Sequence, residues 1–334
     1  MPYVNKNMNK EIERKINIML RIISESKKPV GSKEISQKLS DLGIDLTERA
    51  IRYHLKIMDR GGLTRSVWKA GRLITEKGRT ELSDSSVYEK VGLVISRIES
   101  LAYQMTFDIN QKSGTVIVNL SFIPKNEFKS AIGVMKEVFK NNFGLGNMIA
   151  VAKEGSELGG ISVPYGKVAF GTVCSVTIHG ILTKEFIPVE SKFSGVLQIE
   201  NNKPLRFTDF INYCGSTLDP VEIFIRSKMT SIADAVKGSG KIVASFREIP
   251  AAAKDNAVDV LKKSEKIGLG GALLCGKPGQ TLLEIPIGMD RVGLVICAGL
   301  NPIAAVEEIG IETESYALAC LVDFKHLKSF WDII

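Results

Sequence analysis

No apolar run in this chain approaches the roughly 18 residues that a membrane-spanning helix requires. The longest, near Val292–Leu300, is far shorter. The segment Met1–Met8 is polar and lacks the apolar core of a secretory signal. Histidine is scarce, with three residues, none spaced from a cysteine or carboxylate as metal ligands are. The five cysteines (174, 214, 275, 297 and 320) are far apart, odd in number and without a CxxC pair. That pattern excludes a zinc ribbon and a disulfide framework, and it predicts buried thiols in a reducing cytoplasm. Catalytic signatures are missing too: there is no GxSxG and no GxGxxG. Gly271 to Lys277 has phosphate-loop spacing, but Pro278 stands where the magnesium-binding hydroxyl belongs. Ala272–Cys275 also reads as strand rather than loop.

Charge is present in excess, but unevenly. The 334 residues carry a net charge of +7. Residues 1–82 hold 18 basic and 10 acidic side chains, and residues 83–334 hold the remaining 26 and 27. A basic front end on a near-neutral body predicts a polyanion-binding module joined to a larger one.

The spacing within the basic end predicts a winged helix-turn-helix over residues 1–82. Ile12, Ile16, Met19, Leu20 and Ile23 recur at helical intervals, so a first helix runs from Glu11 to about Ser26. Ser32 caps a second helix with Ile35 and Leu39 inside, and Gly43 ends it. Thr47 caps a third, Glu48–Arg60, with Ile51, Leu55 and Met58 facing inward. Its other face carries Arg49, Arg52 and Lys56, with Tyr53 beside them. Cations on one face behind a short turn suit a major-groove recognition helix. Leu63–Trp68, a turn at Lys69 to Gly71, and Arg72–Thr75 form the wing. Arg49 and Arg52 are the base-contact candidates, Lys56, Lys69 and Arg72 the phosphate candidates, and Tyr53 contacts either the duplex or the core. His54 is expected to be structural.

Beyond the polar break at Ser83 to Ser86, an amphipathic connector helix is expected over residues 83–109. Val87, Val91, Val94, Ile95, Ile98, Leu101, Ala102 and Met105 form one stripe. Such a stripe packs either on the body or on a second copy of the chain, and the half-site logic of helix-turn-helix proteins favours a homodimer or higher assembly.

Residues 110–334 repeat themselves. Phe122-Ile123-Pro124 returns as Glu248-Ile249-Pro250, and Gly144-Leu145-Gly146 as Gly268-Leu269-Gly270. Pro164-Tyr165-Gly166 returns as Pro286-Ile287-Gly288, and Val189-Glu190-Ser191 as Ile311-Glu312-Thr313. The copies span about 112–199 and 239–325, bridged by 200–238. Each reads as strand, amphipathic helix, Gly-rich segment, strand pair, short helix and strand. Thr115–Phe122 and Lys241–Phe246 are the first strands, and Val168–Ile178 and Arg291–Ala298 are buried strands. Mixed sheets with helices give an α+β effector and dimerisation domain with an internal duplication. A ligand is expected between the copies.

Four segments together resemble a known family. They are Gly171 to Gly180 (GTVCSVTIHG), Gly215 to Pro220 (GSTLDP), Ala244 to Pro250 (ASFREIP) and Gly299 to Glu308 (GLNPIAAVEE). Behind a winged helix they resemble the archaeal NrpR nitrogen-regulation repressors over nearly the whole chain. The resemblance implies a cytoplasmic repressor of nitrogen-assimilation genes on a palindromic double-stranded operator, with no membrane attachment and no enzymatic activity. It implies 2-oxoglutarate as an inducer that weakens DNA binding, with no other cofactor. It also leaves room for a second NrpR-type partner, since this chain carries a single effector domain. The alternative class is an enzyme domain acting on a small metabolite, fused to a DNA-binding module. An architectural DNA binder fits poorly, because the body is large and not basic.

A dicarboxylate effector needs cations or backbone N–H groups. Arg247, ending a strand before a proline, is the foremost cation. Asn301 before Pro302 opens a helix whose free amides attract anions. Thr177 and His179 occupy the corresponding place in the first copy, and Thr217 lies in the bridge with Arg226 and Lys228. Each also has a plain structural reading: a cap, a packed turn residue or surface charge.

Overall fold

In the computed structural model, the structure describes residues 15–26, 28–41, 44, 46–84 and 93–333. It divides into two compact units, on either side of the Gly92–Leu93 bond.

The first unit contains α1 (residues 15–24), α2 (Ser32–Asp41), α3 (Glu48–Arg60), β1 (Thr64–Val67), β2 (Gly71–Ile74) and α4 (Glu76–Asp84). The expected start of the first helix, with Ile12, and the Gly43 stop lie outside the described residues. Met19, Leu20, Ile23, Ile35, Leu39, Ile51, Leu55 and Met58 form its core with Ile74. These are the inward positions that helical spacing selects. Thr47 caps α3 by accepting from the Ala50 N–H at 3.3 Å. The β1–β2 hairpin pairs Thr64 with Ile74 and Val67 with Gly71. Its root is tied to the chain after α1, because Val30 and Arg72 exchange both backbone hydrogen bonds. That exchange requires glycine at 71: φ is +124°, and a Cβ there would sit 2.4 Å from the Val30 carbonyl oxygen.

The second unit opens with α5 (Val94–Gln104). Its Val94, Ile98 and Ala102, with Met105, are buried in the unit's own core. From Leu93 onward, the amphipathic stripe expected to connect or to dimerise is therefore satisfied within the chain. Val87 and Val91 lie outside the described residues.

Two five-stranded sheets follow. One has the order β13-β3-β7-β4-β14, from Glu314–Asp323, Thr115–Pro124, Lys167–Val173, Met148–Ala152 and Lys328–Ser329. The other has the order β11-β12-β10-β8-β9, from Ala272–Cys275, Arg291–Cys297, Gly240–Pro250, Glu190–Glu200 and Lys203–Asn212. A short β5–β6 hairpin (Glu157–Leu158 and Ile161–Ser162) stands apart. Every pairing is antiparallel, in place of the mixed sheets expected.

The strand read over Val168–Ile178 ends at Val173, and Val176–Lys184 is a helix, α7. A continuous apolar run does not distinguish a buried strand from a buried helix, which explains the misreading. The remaining helices are α6 (Phe128–Lys140), α8 (Pro220–Arg226), α9 (Ile232–Ala235), α10 (Lys254–Lys266) and α11 (Asn301–Glu308).

Both sheets set their central strands in one sequence: a late strand, then β3 or β10, then β7 or β12, then β4 or β11. The late strand always comes from the other half of the chain. β8 follows β7 in sequence yet pairs with β10, and β13 follows β12 yet pairs with β3. The helices cross in the same sense, with α6 packing on α11 and α10 on α7. Between them the two Gly-Leu-Gly segments touch. The Asn147 N–H donates to the Gly268 carbonyl at 3.0 Å, and a Cβ on Gly146 would lie 1.9 Å from that oxygen.

Candidate nucleic-acid interface and effector site

On α3 the inward face is buried and the outward face carries Arg49, Arg52, Tyr53 and Lys56, all exposed. Among the described residues Arg49 and Lys56 have no ion-pair partner. Arg52 contacts Glu48 at 2.6 Å, one turn away. An exposed pair at this spacing is worth about 0.3–0.5 kcal/mol, too little to hold the guanidinium back from a phosphate or a base. Tyr53 is exposed, which leaves its ring available to a partner rather than to the core. His54 is buried, and burial together with the nearby Lys15 charge lowers its pKa. It is a structural residue, as its position before Leu55 suggested.

The wing divides its cations. Lys69 is exposed at the tip, in a left-handed conformation, with its Nζ 5.8 Å from the centre of the Trp68 ring. Arg72, expected to reach phosphate, turns inward instead. Its Nε contacts Asp59 at 2.9 Å, and Asp59 also accepts from the Thr64 hydroxyl at 2.7 Å. Arg72 therefore clamps the wing to the recognition helix, because its place in the alternation of β2 points its side chain toward Asp59. Trp68 was read only as part of the wing strand. Its position at the hairpin tip is the signal that could have singled it out.

In the second unit, the five expected effector residues have different fates. Asn301 and Thr177 are enclosed and fully engaged. The Asn301 carboxamide accepts from the Val243 N–H and donates to the Val243 and Phe143 carbonyls, each at 2.9 Å. The Thr177 hydroxyl accepts from the Ile117 N–H at 3.1 Å and donates to the Ile117 carbonyl at 3.0 Å. Each thus pins the first turn of a helix, α7 or α11, to the third residue from the start of β3 or the fourth of β10. Both side chains are enclosed, and neither has an N–H or O–H donor left for an anionic ligand.

Arg247 and His179 do come together. Arg247 lies within β10 rather than at its end, at the register shift against β8, and is 0% exposed. Its Nη1 donates to His179 Nδ1 at 3.2 Å and to the Ser191 hydroxyl, and its Nη2 donates to Ser175 at 3.3 Å. Because the guanidinium donates, Nδ1 must accept, and the imidazole proton belongs on Nε2. Burial first, and then the Arg247 charge, push His179 down to about 3, so the ring is neutral. Burial lowers the pKa of Arg247 itself, and its Nε finds no partner. Among the described residues no carboxylate pairs with it.

Around this centre, Tyr213 is driven up to about 12 by burial and meets Ser194 at 2.6 Å. Asp219 is driven up to about 6, again by burial, while accepting from the Val221 N–H at 2.9 Å. Thr217, on the same segment, is half-buried and makes no side-chain hydrogen bond with the Arg247 group. Arg226 is an exposed partner of Glu222, and Lys228 is exposed.

Space decides which of these places can take a ligand. The cavity between Ser175, Tyr213, Asp219 and Gly299 measures about 20 Å³, room for a water. Beside the paired Gly-Leu-Gly segments lies a cleft of about 320 Å³, whose lining includes Lys140, Asn142, Gly144, Gly146, Asn147, Glu265, Gly268, Gly270, Gly271 and Trp331. Small-molecule pockets start at about 300 Å³. The cleft has that volume, walls from both halves of the chain, one cation, Lys140, and one carboxylate, Glu265. Sequence reasoning had pointed to the junction of the halves but not to Lys140.

Among the described residues no group of histidine, cysteine and carboxylate side chains could hold a metal ion, and no helix is long and apolar enough to cross a membrane. Cys174, Cys297 and Cys320 are buried as expected, whereas Cys275 is half-buried and Cys214 exposed. Ala272–Cys275 is strand β11, so the phosphate-loop spacing around it has no loop.

Comparison with known proteins agrees with this division. Residues 91–329 match the family model of NrpR regulatory domains NRD1 and 2, and residues 16–82 match that of the ribonuclease R winged-helix domain. The chain is 39% identical to the global nitrogen regulator NrpRI of Methanosarcina mazei, over 96% of this chain and 99% of that one. It is 28% identical to the global nitrogen regulator NrpR of Methanococcus maripaludis, over 93% of this chain but only 54% of that protein, so it spans about half the length of that relative. A crystal structure of a nitrogen repressor-like protein from Methanococcus jannaschii superimposes with a TM-score of 0.61 at 30% identity, covering 72% of this chain and 99% of that one. These relatives are named as regulators, not enzymes. The chain belongs to the NrpR family of nitrogen regulators.

Proposed function

We propose that this protein is a transcriptional repressor of nitrogen-assimilation genes that binds a palindromic operator as a homodimer or higher assembly, and that 2-oxoglutarate bound in its second unit lowers operator affinity. The observation that carries the DNA-binding part is the outward face of α3, where Arg49 and Lys56 stand exposed and unpaired beside a wing with Lys69 at its tip. Arg49 and Arg52 read base edges, while Lys56 and Lys69 neutralise phosphate. Family membership supports the regulatory role, and the M. mazei relative, matched over nearly all of both chains, is named a global nitrogen regulator.

For the effector, the cleft at the Gly-Leu-Gly junction is the proposed site in place of Arg247. It has the volume that a five-carbon dicarboxylate requires, Lys140 offers one carboxylate a cation, and the backbone N–H groups of the glycine segments are the other donors, with the ligand placed away from Glu265. The recurring motifs, the common strand order and the matched roles of Thr177 and Asn301 support an internal duplication whose late strands are exchanged between sheets. A ligand wedged between the two halves then favours whichever arrangement of them it contacts better, and only such unequal binding can change DNA affinity. A second NrpR-type protein is a further proposed partner.

The test is to titrate the purified protein onto its own upstream DNA with and without 2-oxoglutarate. The effector should weaken binding, and Lys140→Ala should raise the concentration required. Binding unchanged across millimolar effector would sink the ligand-control reading, and consumption of the metabolite would favour the enzyme class. Sedimentation of the protein alone reads the assembly state.

A further inference from the structure

We propose that Trp68 is a DNA-contact residue: the wing lays its indole ring, together with the Lys69 ammonium, against the sugar and phosphate edge of the minor groove next to the recognition helix. The inference rests on the DNA-binding reading above and adds an apolar contact to a surface otherwise described by charge. Trp68 is 86% exposed. An indole offers 150–250 Å² of surface that is normally buried, with its N–H bonded to a partner. Strands of four residues give the first unit no means of covering a ring at the hairpin tip.

The tip is nevertheless held in place. The Arg72–Asp59 contact ties the wing to α3, and the Val30–Arg72 exchange ties it to the chain after α1. Lys69 sits against the ring, so indole and ammonium form one amphipathic unit with an uncovered aromatic face. The wing itself selects an anionic partner: Arg65 on β1 and Lys69 at the tip are exposed cations, and the wing carries no acidic side chain. A duplex is the anion that also engages the free cations of α3. Apolar side chains pressed into the minor groove are an established way for proteins to gain contact there.

The experiment uses the full-length protein and a fluorescently labelled duplex from its own upstream region. Anisotropy reports binding without reference to tryptophan. Saturating DNA should shift or quench the tryptophan emission of the wild type, and the change should vanish in Trp68→Ala. That variant should bind roughly tenfold more weakly, the loss expected when about 60 Å² of ring surface, worth about 25 cal/mol per Å², is no longer covered. Its dependence of log affinity on log salt should match the wild type, because an uncharged ring releases no counterions. Trp68→Phe, which keeps an aromatic face, should recover most of the loss.

Equal affinity of Trp68→Ala and wild type would overturn the proposal, as would an unchanged emission at saturation. A weakening accompanied by a shallower salt slope would also overturn it, by showing that the ring merely orients Lys69. If the wild type binds no duplex at all by anisotropy, the DNA-binding reading falls first and this one with it.

Discussion

Replacing Asn301 with alanine discriminates between a ligand residue and a structural brace. Asn301 is fully buried and its carboxamide makes three hydrogen bonds of 2.9 Å. Truncation strands the Val243 N–H and removes one partner of the Phe143 carbonyl. The Val243 carbonyl keeps the Ala298 N–H at 3.0 Å and loses less. Each stranded buried group costs about 1–3 kcal/mol, and the cavity adds to that, so the expected loss is about 3–5 kcal/mol. Thr177→Val strands a single N–H, that of Ile117, because the Ile117 carbonyl retains the Cys174 N–H at 2.9 Å. Its expected loss is about 1–3 kcal/mol. Asn301→Asp places an oxygen against two carbonyls and should cost at least as much as alanine. Urea unfolding followed by circular dichroism reads these values as lowered midpoints at constant slope. A stability loss under about 1 kcal/mol for Asn301→Ala, combined with a higher 2-oxoglutarate requirement for release from DNA, would refute the argument and restore Asn301 as a ligand residue.

Further outcomes follow from single contacts. Arg72→Ala should destabilise the first unit and loosen the wing, and Asp59→Ala should do the same, because Arg72 and Asp59 are partners; the double variant should cost less than the sum in a thermal melt. His179 has a folded-state pKa near 3, below its unfolded value. The unfolded chain therefore binds the extra proton between about pH 3 and 6.5, and stability falls as pH drops through that window. The stability difference between wild type and His179→Gln should shift by about 2 kcal/mol against the wild type from pH 7 to pH 5, read by urea unfolding at both values. Gly133→Ala should stabilise by about 0.5–1 kcal/mol, since that helical position is open. Gly146→Ala should instead destabilise and disrupt the cleft, because its Cβ would collide with the Gly268 carbonyl.

The first unit was legible because its determinants are local. Thr47, the inward Ile51, Leu55 and Met58, and the wing turn each act within a few residues of themselves. Arg72 was misjudged because its role depends on Asp59, thirteen positions earlier on a different element. In the second unit the recurring motifs pointed to two similar halves, but not to which sheet a late strand would join. Pairing of β8 with β10 rather than β7 is decided by long-range packing, to which hydrophobic pattern is blind. Arg247 shows the same limit from the side of the site. As a lone arginine before Glu248-Ile249-Pro250 it looked accessible, and only its enclosure by Ser175, His179 and Ser191 reveals a buried link.

That link and the cleft give the second unit two different kinds of junction between its halves. At Arg247 a charged group from β10 holds β8 and α7, and among the described residues no carboxylate offsets its burial. The guanidinium is enclosed and spends its hydrogen bonds on Ser175, His179 and Ser191, so this junction is filled and leaves no room for a ligand. At the Gly-Leu-Gly contact the halves meet through backbone, one hydrogen bond and a cleft of about 320 Å³. Leu145 and Leu269 of these segments are buried in the core, and the open space lies on the glycine side of the contact. Of the two, the glycine junction is the one with space for a ligand, and a ligand lodged in it contacts both halves at once. That asymmetry is the physical reason for placing an effector beside Lys140 rather than beside Arg247.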